Sequence, residues 1–302
     1  KAGEVLVCST GVIGFPLPMD KIRPGIKSLA ANLSAKGGNA AADGIRTTDK
    51  YPKRATVLLK IGGKTVTITA MAKGAGMIQP GMATMLCFIL TDAAVGAAAL
   101  KRCVRDAIGA TFNAISVDGD MSTNDTVFLL ANGASGASPK SSKDWKRFCG
   151  AVQALAMDLA LKIVRDGEGA TKVIAVNVKR ARNDGEANNI ARAVANSLLV
   201  KTCWAGDYPN WGRIMAAVGY AKAKSVGDTL DIYYDGVRAV RNGISAGADV
   251  SRLSRIQKQE RFDLTIDLRI GKGRATVYTC DIGHEYIDVN VDYVKMPGKA
   301  PT

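Results

Sequence analysis

The stretch KGAGMIQPGMATMLCFILTD (residues 73–92) joins two segments of opposite character. Its first half is rich in Gly and Met and contains Pro80, whereas residues 85–90 are apolar. Thr84 stands at the junction. The apolar run predicts a strand over residues 84–91, in which Thr84 would be an ordinary β-branched residue that suits a pleated surface.

The Ala83–Thr84 bond allows a second interpretation. A Thr hydroxyl is a weak nucleophile, but a Thr that becomes the first residue of a chain can use its own α-amino group as the base. That amine has a reference pKa of about 7.7–8.0, against about 10.4 for a Lys side chain. Attack of the Thr84 hydroxyl on the Ala83 carbonyl, followed by hydrolysis of the ester, would expose such a terminus. The pattern alone leaves both interpretations open.

Outward from this stretch, runs of strands are interleaved with a few long helices. The predicted strands are residues 5–8, 56–61, 65–70, 84–91, 126–130, 173–178, 213–219, 230–234, 262–270 and 275–282. The predicted helices are residues 20–35, 94–110, 143–164 and 186–199, and a loop is predicted near residues 131–145. This order favours a layered α/β or α+β fold over a simple βαβ repeat.

Composition limits the classes of protein. The chain has 302 residues, 47% of them hydrophobic, and a formal net charge of +14. No apolar run approaches the roughly 18–20 residues that span a bilayer. The basic residues are dispersed and aromatic residues are few, so we expect no nucleic-acid partner. The positive charge then indicates a basic surface around a pocket for small anions, or it serves only solubility. Because the chain begins at Lys1 without a signal-like segment, we expect a processed or truncated product.

The cysteines and the histidine exclude several chemistries. Six Cys residues are scattered without a C-x-x-C pair, which is typical of reduced thiols and argues against a zinc site. His284 is the single His, and nothing near it resembles a nucleophile elbow. The oxygen-rich segment DGDMSTNDT lacks the terminal Glu of a calcium loop, so we interpret it as a capped turn near the active site. No metal is predicted.

The motifs around Thr84 resemble those of the ornithine acetyltransferase family, also called the glutamate N-acetyltransferase or ArgJ family. Its members carry a self-cleaving Ala–Thr bond in a KGxGMIxPxMATML motif, which KGAGMIQPGMATML matches. The other matching segments are STGVIG (residues 9–14), VDGDMSTNDT (117–126), RDGEGATK (165–172), PNWGRI (209–214) and HEYIDVNVDY (284–293). The resemblance covers nearly the whole chain.

The resemblance implies an N-terminal-nucleophile-type αββα sandwich with a second, smaller C-terminal α/β part. It implies acetyl transfer from N²-acetylornithine to glutamate through an acetyl-Thr84 intermediate, with ping-pong kinetics and no cofactor, although some family members accept acetyl-CoA. Residues 1–83 would form an α chain and residues 84–302 an interlocking β chain, assembled as α2β2 or higher. The enzyme would be cytoplasmic in a bacterium, and would lie in the mitochondrial matrix or plastid of a eukaryote.

The resemblance also assigns roles to individual residues. Thr84 is the nucleophile, Ala83 precedes the cleaved bond, and Thr10 and Gly11 form the oxyanion hole. The expected substrate contacts are Thr47, Thr48, Lys73, Thr84, Glu168, Asn290 and Lys295. The choice between Thr47 and Thr48 stays open.

Three positions depart from the family pattern. Gly81 replaces a polar residue such as Asn, Tyr208 replaces an Asp before Pro209, and Lys295 replaces a Ser or Thr. The last departure weakens the assignment of Lys295. The alternative functions are a Thr-nucleophile amidase or aminopeptidase, in which water takes the acyl group, and a non-enzymatic nucleic-acid binder.

Overall fold

The computed structural model describes residues 5–79, 85–223 and 227–293, and these residues form nine helices and ten strands. In chain order the elements are α1 (Met19–Ala31), α2 (Gly38–Gly44), β1 (Lys53–Ile61), β2 (Lys64–Lys73), β3 (Leu86–Thr91), α3 (Ala97–Gly109), β4 (Thr126–Ala131), α4 (Ser142–Arg165), β5 (Val173–Ala181), α5 (Asp184–Ala195), α6 (Leu198–Ala205), α7 (Trp211–Tyr220), β6 (Asp231–Tyr234), β7 (Val237–Arg241), β8 (Ile244–Ser245), α8 (Val250–Gln257), β9 (Arg261–Asp267), β10 (Gly273–Cys280) and α9 (His284–Tyr293).

The first sheet has the strand order β1-β2-β3-β4. β1 and β2 form a hairpin whose turn residues, Gly62 and Gly63, both have positive φ, as a tight two-residue turn requires. β2 pairs antiparallel with β3, and β3 pairs parallel with β4. Alternate residues of β2 are buried, and α4 packs against β1 and β2. The side chain of Ser141 accepts a hydrogen bond from Asp144 N, as expected of a helix N-cap.

The second sheet has the order β10-β5-β9-β6-β7-β8. α5 packs on β10 and β5, and a separate apolar cluster that includes Trp204 and Phe262 fills this part. The predicted mixed α/β class with a second C-terminal part is confirmed. Among the described residues, however, the second sheet has six strands against four in the first, so the C-terminal part does not have the smaller sheet.

The first sheet determines where the predicted catalytic segment leaves and returns. β2 ends at Lys73 and β3 begins at Leu86, and these two residues are paired across the sheet. Thr126, the first residue of β4, is paired with Leu86 on the other side. The segment between Lys73 and Leu86 therefore leaves and rejoins the sheet at the same end of its strands, beside the loop that precedes β4.

Two predicted strands are wrong. Residues 213–219 belong to α7, in which Ile214, Ala217 and Val218 are buried at helical spacing. A short continuous apolar run fits a buried strand and a buried helix equally well, and packing against the second core favours the helix. Residues 5–8 form no strand, and Val5 and Val7 are exposed. The predicted helix 186–199 is interrupted near Asn196, where α5 ends.

The described helices include none that is both long enough and apolar enough to cross a membrane.

Candidate active site

A cavity of about 450 Å³ opens at the edge of the first sheet where β2 ends. Its size falls in the range of about 300–1,000 Å³ that is common for small-molecule sites. The residues that line it are Thr10, Gly11, Val12, Ile13, Thr47, Thr48, Lys73, Gly76, Met77, Ser122, Asn124, Glu168 and Asn290. The structure thus brings together Thr10, Gly11, Thr47, Thr48, Lys73, Glu168 and Asn290, which the sequence assigned to one site.

Lys73 is the last residue of β2, and its side chain is buried. Its Nζ lies 3.5 Å from Thr47 Oγ1. Burial lowers the pKa of Lys73, while the nearby carboxylates of Asp49 and Asp125 oppose this shift. An ordinary surface Lys is hydrated, whereas a buried ammonium that faces a cavity is suited to bind an anionic group of a ligand.

Glu168 lies in the turn that follows α4. Like Lys73 it is buried, and its charge is opposite to that of Lys73. Its backbone N–H donates to Ala75 O at 3.0 Å, and its carboxylate accepts a hydrogen bond from Asn290 Nδ2 at 3.0 Å. Asn290 belongs to α9, and the same amide nitrogen also donates to Tyr286 O at 2.9 Å. The C-terminal helix therefore orients the carboxylate of Glu168.

Two glycines permit the close packing around Glu168. A Cβ at Gly76 would lie 2.5 Å from the Glu168 carboxyl group. Gly169 has a φ of +68°, and a Cβ there would overlap the backbone of Tyr286 at the start of α9. Only residues without a side chain fit these two places, so Glu168 is held between the segment that follows β2 and α9.

The loop before β4 supports the residues that lead to the predicted cleavage site. Asp118 accepts hydrogen bonds from Met77 N at 2.5 Å and from Ile78 N at 2.9 Å. Met77 has a φ of +54°, which is uncommon for a residue with a side chain. The carboxylate of Asp118 thus fixes a strained segment, and burial raises the pKa of Asp118.

Ser122 and Asn124 line the cavity, and sequence reasoning did not assign them to it. The sequence placed their segment in a turn near the active site, but the side chains that face the cavity depend on how this loop lies against β3. Asp125 follows them, and both of its carboxylate oxygens are buried. Burial raises the pKa of Asp125 to about 7, although the backbone of Met85 and the charge of Lys73 oppose the shift.

The N-terminal wall of the cavity differs from the rest. Thr10 and Gly11 lie in residues 5–18, which contain no helix or strand, and both are exposed. A Cβ on Gly11 would lie 3.2 Å from Leu17 Cδ2, the end of a flexible side chain. Backbone N–H groups in such a segment can face a cavity, as an oxyanion hole requires.

Three predicted site residues, Ala83, Thr84 and Lys295, lie outside the described residues. The described residues resume at Met85. Met85 is buried, and its carbonyl oxygen accepts a hydrogen bond from Thr126 N at 2.9 Å. The roles predicted for Ala83, Thr84 and Lys295 stay predictions. The same holds for the roles of the residues that line the cavity, whose location the structure gives.

The described residues form a mixed α/β fold, and one small cavity in it is lined by a buried cation, Lys73, and a buried carboxylate, Glu168. The chain matches the sequence model of the ArgJ family over residues 1–295. It is 50% identical over 293 residues to the arginine biosynthesis bifunctional protein ArgJ of Geobacter sulfurreducens. That alignment covers 96% of this chain and 75% of that protein. It is 47% identical over 290 residues to the protein of the same name from Symbiobacterium thermophilum, covering 95% of this chain and 72% of that protein.

A solved structure agrees with these sequence matches. The crystal structure of the arginine biosynthesis bifunctional protein argJ from Bacillus halodurans superimposes with a TM-score of 0.65 at 35% identity, over 68% of this chain and 98% of that chain. The chain belongs to the ArgJ family. The predicted family and enzyme class, an acetyltransferase of arginine biosynthesis, are therefore confirmed, and the amidase or aminopeptidase alternative is not favoured.

Proposed function

We propose that this chain moves an acetyl group from N²-acetylornithine to glutamate through an acetyl ester on Thr84. The Thr84 hydroxyl passes its proton to the α-amino group of the same residue and attacks the acetyl carbonyl. The C–N bond of acetylornithine then breaks, the departing nitrogen takes the proton, and ornithine leaves. The amine of glutamate then attacks the ester and gives a proton to the α-amino group of Thr84, the bond to Thr84 Oγ breaks, Oγ takes that proton, and N-acetylglutamate is formed.

The presence of buried Lys73 and buried Glu168 around one small cavity carries this proposal. Both groups contact neutral partners, Thr47 and Asn290. An amino acid presents an α-carboxylate, and ornithine also presents a side-chain ammonium. Lys73 would bind the carboxylate shared by both substrates, and Glu168 would bind the amine, with Thr47 or Thr48 and Asn290 as polar contacts. One pocket that accepts both amino acids in turn implies ping-pong kinetics.

Thr10 and Gly11 would stabilise the oxyanion of each tetrahedral intermediate. The same groups would serve the self-cleavage between Ala83 and Thr84, because that reaction also passes through a tetrahedral oxyanion.

Cleavage would leave an α chain of residues 1–83 and a β chain of residues 84–302. The register of the first sheet supports their staying associated, because β2 belongs to the first chain and its residues 68–73 pair with residues 86–91 of β3 in the second. α4, in the β chain, also packs on β1 of the α chain. The two chains would therefore share a sheet and a core. An α2β2 or larger assembly is part of the proposal.

Acyl transfer to and from Thr84 needs no bound cofactor. The names of the relatives describe them as bifunctional, and if this chain is bifunctional too, acetyl-CoA would be a second acetyl donor. The proposed location is the cytoplasm in a bacterium, and the mitochondrial matrix or plastid in a eukaryote.

Intact-protein mass spectrometry tests the nucleophile. The wild type should give two associated chains, residues 1–83 and 84–302, and Thr84→Ala should give one uncut chain without transferase activity. A wild type that stays a single chain and is fully active would exclude the N-terminal amine as the base.

Product analysis with and without glutamate tests the acceptor. N-acetylglutamate should appear in proportion to ornithine when glutamate is present. Release of free acetate at the same rate in both conditions would identify water as the acceptor and reject the transferase proposal.

A further inference from the structure

The three segments that carry Thr47, Lys73 and Glu168 meet at one buried cation outside the cavity, Lys53. Lys53 is the first residue of β1 and is fully buried. Its Nζ lies 2.5 Å from Asp49 Oδ1 and 2.5 Å from Asp166 Oδ2. Asp49 and Asp166 are themselves buried, so the three residues form a buried ion cluster.

Asp49 connects this cluster to two walls of the cavity. Its Oδ2 accepts a hydrogen bond from Thr47 N at 3.1 Å, and its Oδ1 accepts one from Gly74 N at 2.7 Å. Gly74 directly follows Lys73. One carboxylate therefore sets the distance between the Thr47 loop and the end of β2. Lys53 and these hydrogen bonds hold the pKa of Asp49 below its usual value, against the effect of burial.

Asp166 connects the cluster to the third wall. It is the C-cap residue of α4, two positions before Glu168. Its Oδ2 also accepts a hydrogen bond from Lys50 N at 3.0 Å. The turn that carries Glu168 is thus attached, through Lys53, to the segments that carry Thr47 and Lys73.

We infer that Lys53, with Asp49 and Asp166, is a positioning residue that sets the spacing of the substrate-binding groups Thr47, Lys73 and Glu168. This inference rests on the proposed function, because it takes Lys73, Glu168 and the loop that carries Thr47 and Thr48 as the groups that bind the amino-acid substrates. Lys53 does not line the cavity, so it acts through its two carboxylate partners. Binding groups must be held to within a fraction of an ångström by their support, and a buried ion cluster supplies such directional contacts.

A purely structural ion cluster would stabilise the fold without affecting substrate affinity. The second sheet offers a control in Asp267, a buried carboxylate outside the cavity lining that accepts hydrogen bonds from Nε and Nη2 of the half-exposed Arg180. Asp166→Asn and Asp267→Asn each remove one buried, cation-paired negative charge and keep the shape of the side chain.

The test measures KM and kcat for acetylornithine and glutamate in wild type, Asp166→Asn and Asp267→Asn, well below the unfolding temperature of each. Asp166→Asn should raise KM for both substrates about tenfold while kcat stays within about threefold, because the ion cluster supports the groups that bind substrate and contains no group of the acyl-transfer step. Asp267→Asn should lower the unfolding temperature and leave both KM values unchanged. Lys53→Met should raise KM further where it folds.

Wild-type KM values in Asp166→Asn, or equal KM changes in Asp166→Asn and Asp267→Asn, would overturn the inference. Absence of acetyl transfer in the wild type would instead reject the proposed function, so the two failures are distinguishable. If Lys53→Met does not fold, the comparison of the two Asp variants still decides.

Discussion

The two sides of the cavity are built differently. On one side, Lys73 and Glu168 are buried and held by hydrogen bonds and by the Lys53 ion cluster. The chain also packs closely around Glu168 at Gly76 and Gly169. On the other side, Thr10 and Gly11 lie in an exposed segment without regular structure. The difference separates two requirements of the proposed reaction. Binding charged groups away from water needs a buried, fixed wall, whereas an oxyanion hole needs only a few N–H or O–H donors that face the reacting atom.

The largest expected effect concerns the packing of the buried side. Gly169→Ala should lower the free energy of unfolding by about 3–5 kcal/mol, because the new Cβ overlaps the Tyr286 backbone and the φ of +68° disfavours a side chain. Gly11→Ala should change it by no more than about 0.5 kcal/mol, because only the movable end of Leu17 is near. Chemical denaturation measures both. Similar losses for the two variants would remove the contrast between the two sides.

On the exposed side, the expected loss is in catalysis. Thr10→Ala should lower kcat about 10²–10³-fold, or about 2.7–4 kcal/mol, if it removes one oxyanion donor. Self-cleavage should slow as well, while the unfolding free energy stays close to wild type because Thr10 is exposed. Steady-state kinetics and the time course of chain cleavage measure these effects. Normal turnover in Thr10→Ala would place the oxyanion hole elsewhere.

Charge removal on the buried side should affect binding. Lys73→Met should weaken acetylornithine and glutamate alike by about 1–3 kcal/mol, because each loses the partner of its α-carboxylate. Glu168→Gln should raise KM for acetylornithine and leave self-cleavage intact, because cleavage involves no substrate. Unchanged kinetics in both variants would show that these charges do not bind substrate.

The smallest expected effect is on the pH dependence of binding. Lys73 binds a carboxylate only while protonated, and burial lowers its pKa, against the opposing effect of Asp49 and Asp125. Substrate affinity should therefore fall as the pH rises, starting below the value of about 10.4 that is usual for Lys. KM measured across alkaline pH tests this, with Lys73→Arg as the control because its guanidinium stays charged. The same pH dependence in Lys73→Arg would assign the titration to another group.

Much of the fold could be predicted from local pattern, because apolar residues alternate along β2 and recur at helical spacing along α4, and these are the residues that are buried. The failures occurred where local pattern does not decide. Residues 214–218 are apolar throughout, and they form part of a helix that packs against the second core. Residues 5–8 are apolar and yet unpaired, since strand formation needs a neighbouring strand that the described part of the chain does not supply there.

By itself, the sequence determined the family, the enzyme class and most of the residues assigned to the site, because the motifs around residues 9–14, 73–86, 165–172 and 284–293 carry that information in order. Only the tertiary structure decided that Lys73 is buried beside Thr47, that Asn290 orients Glu168, and that Lys53 links three walls of one cavity. The physical reason is distance along the chain. Asp166 lies 113 positions from Lys53, and Asn290 lies 122 from Glu168. Contacts over such separations are set by how sheets and helices pack.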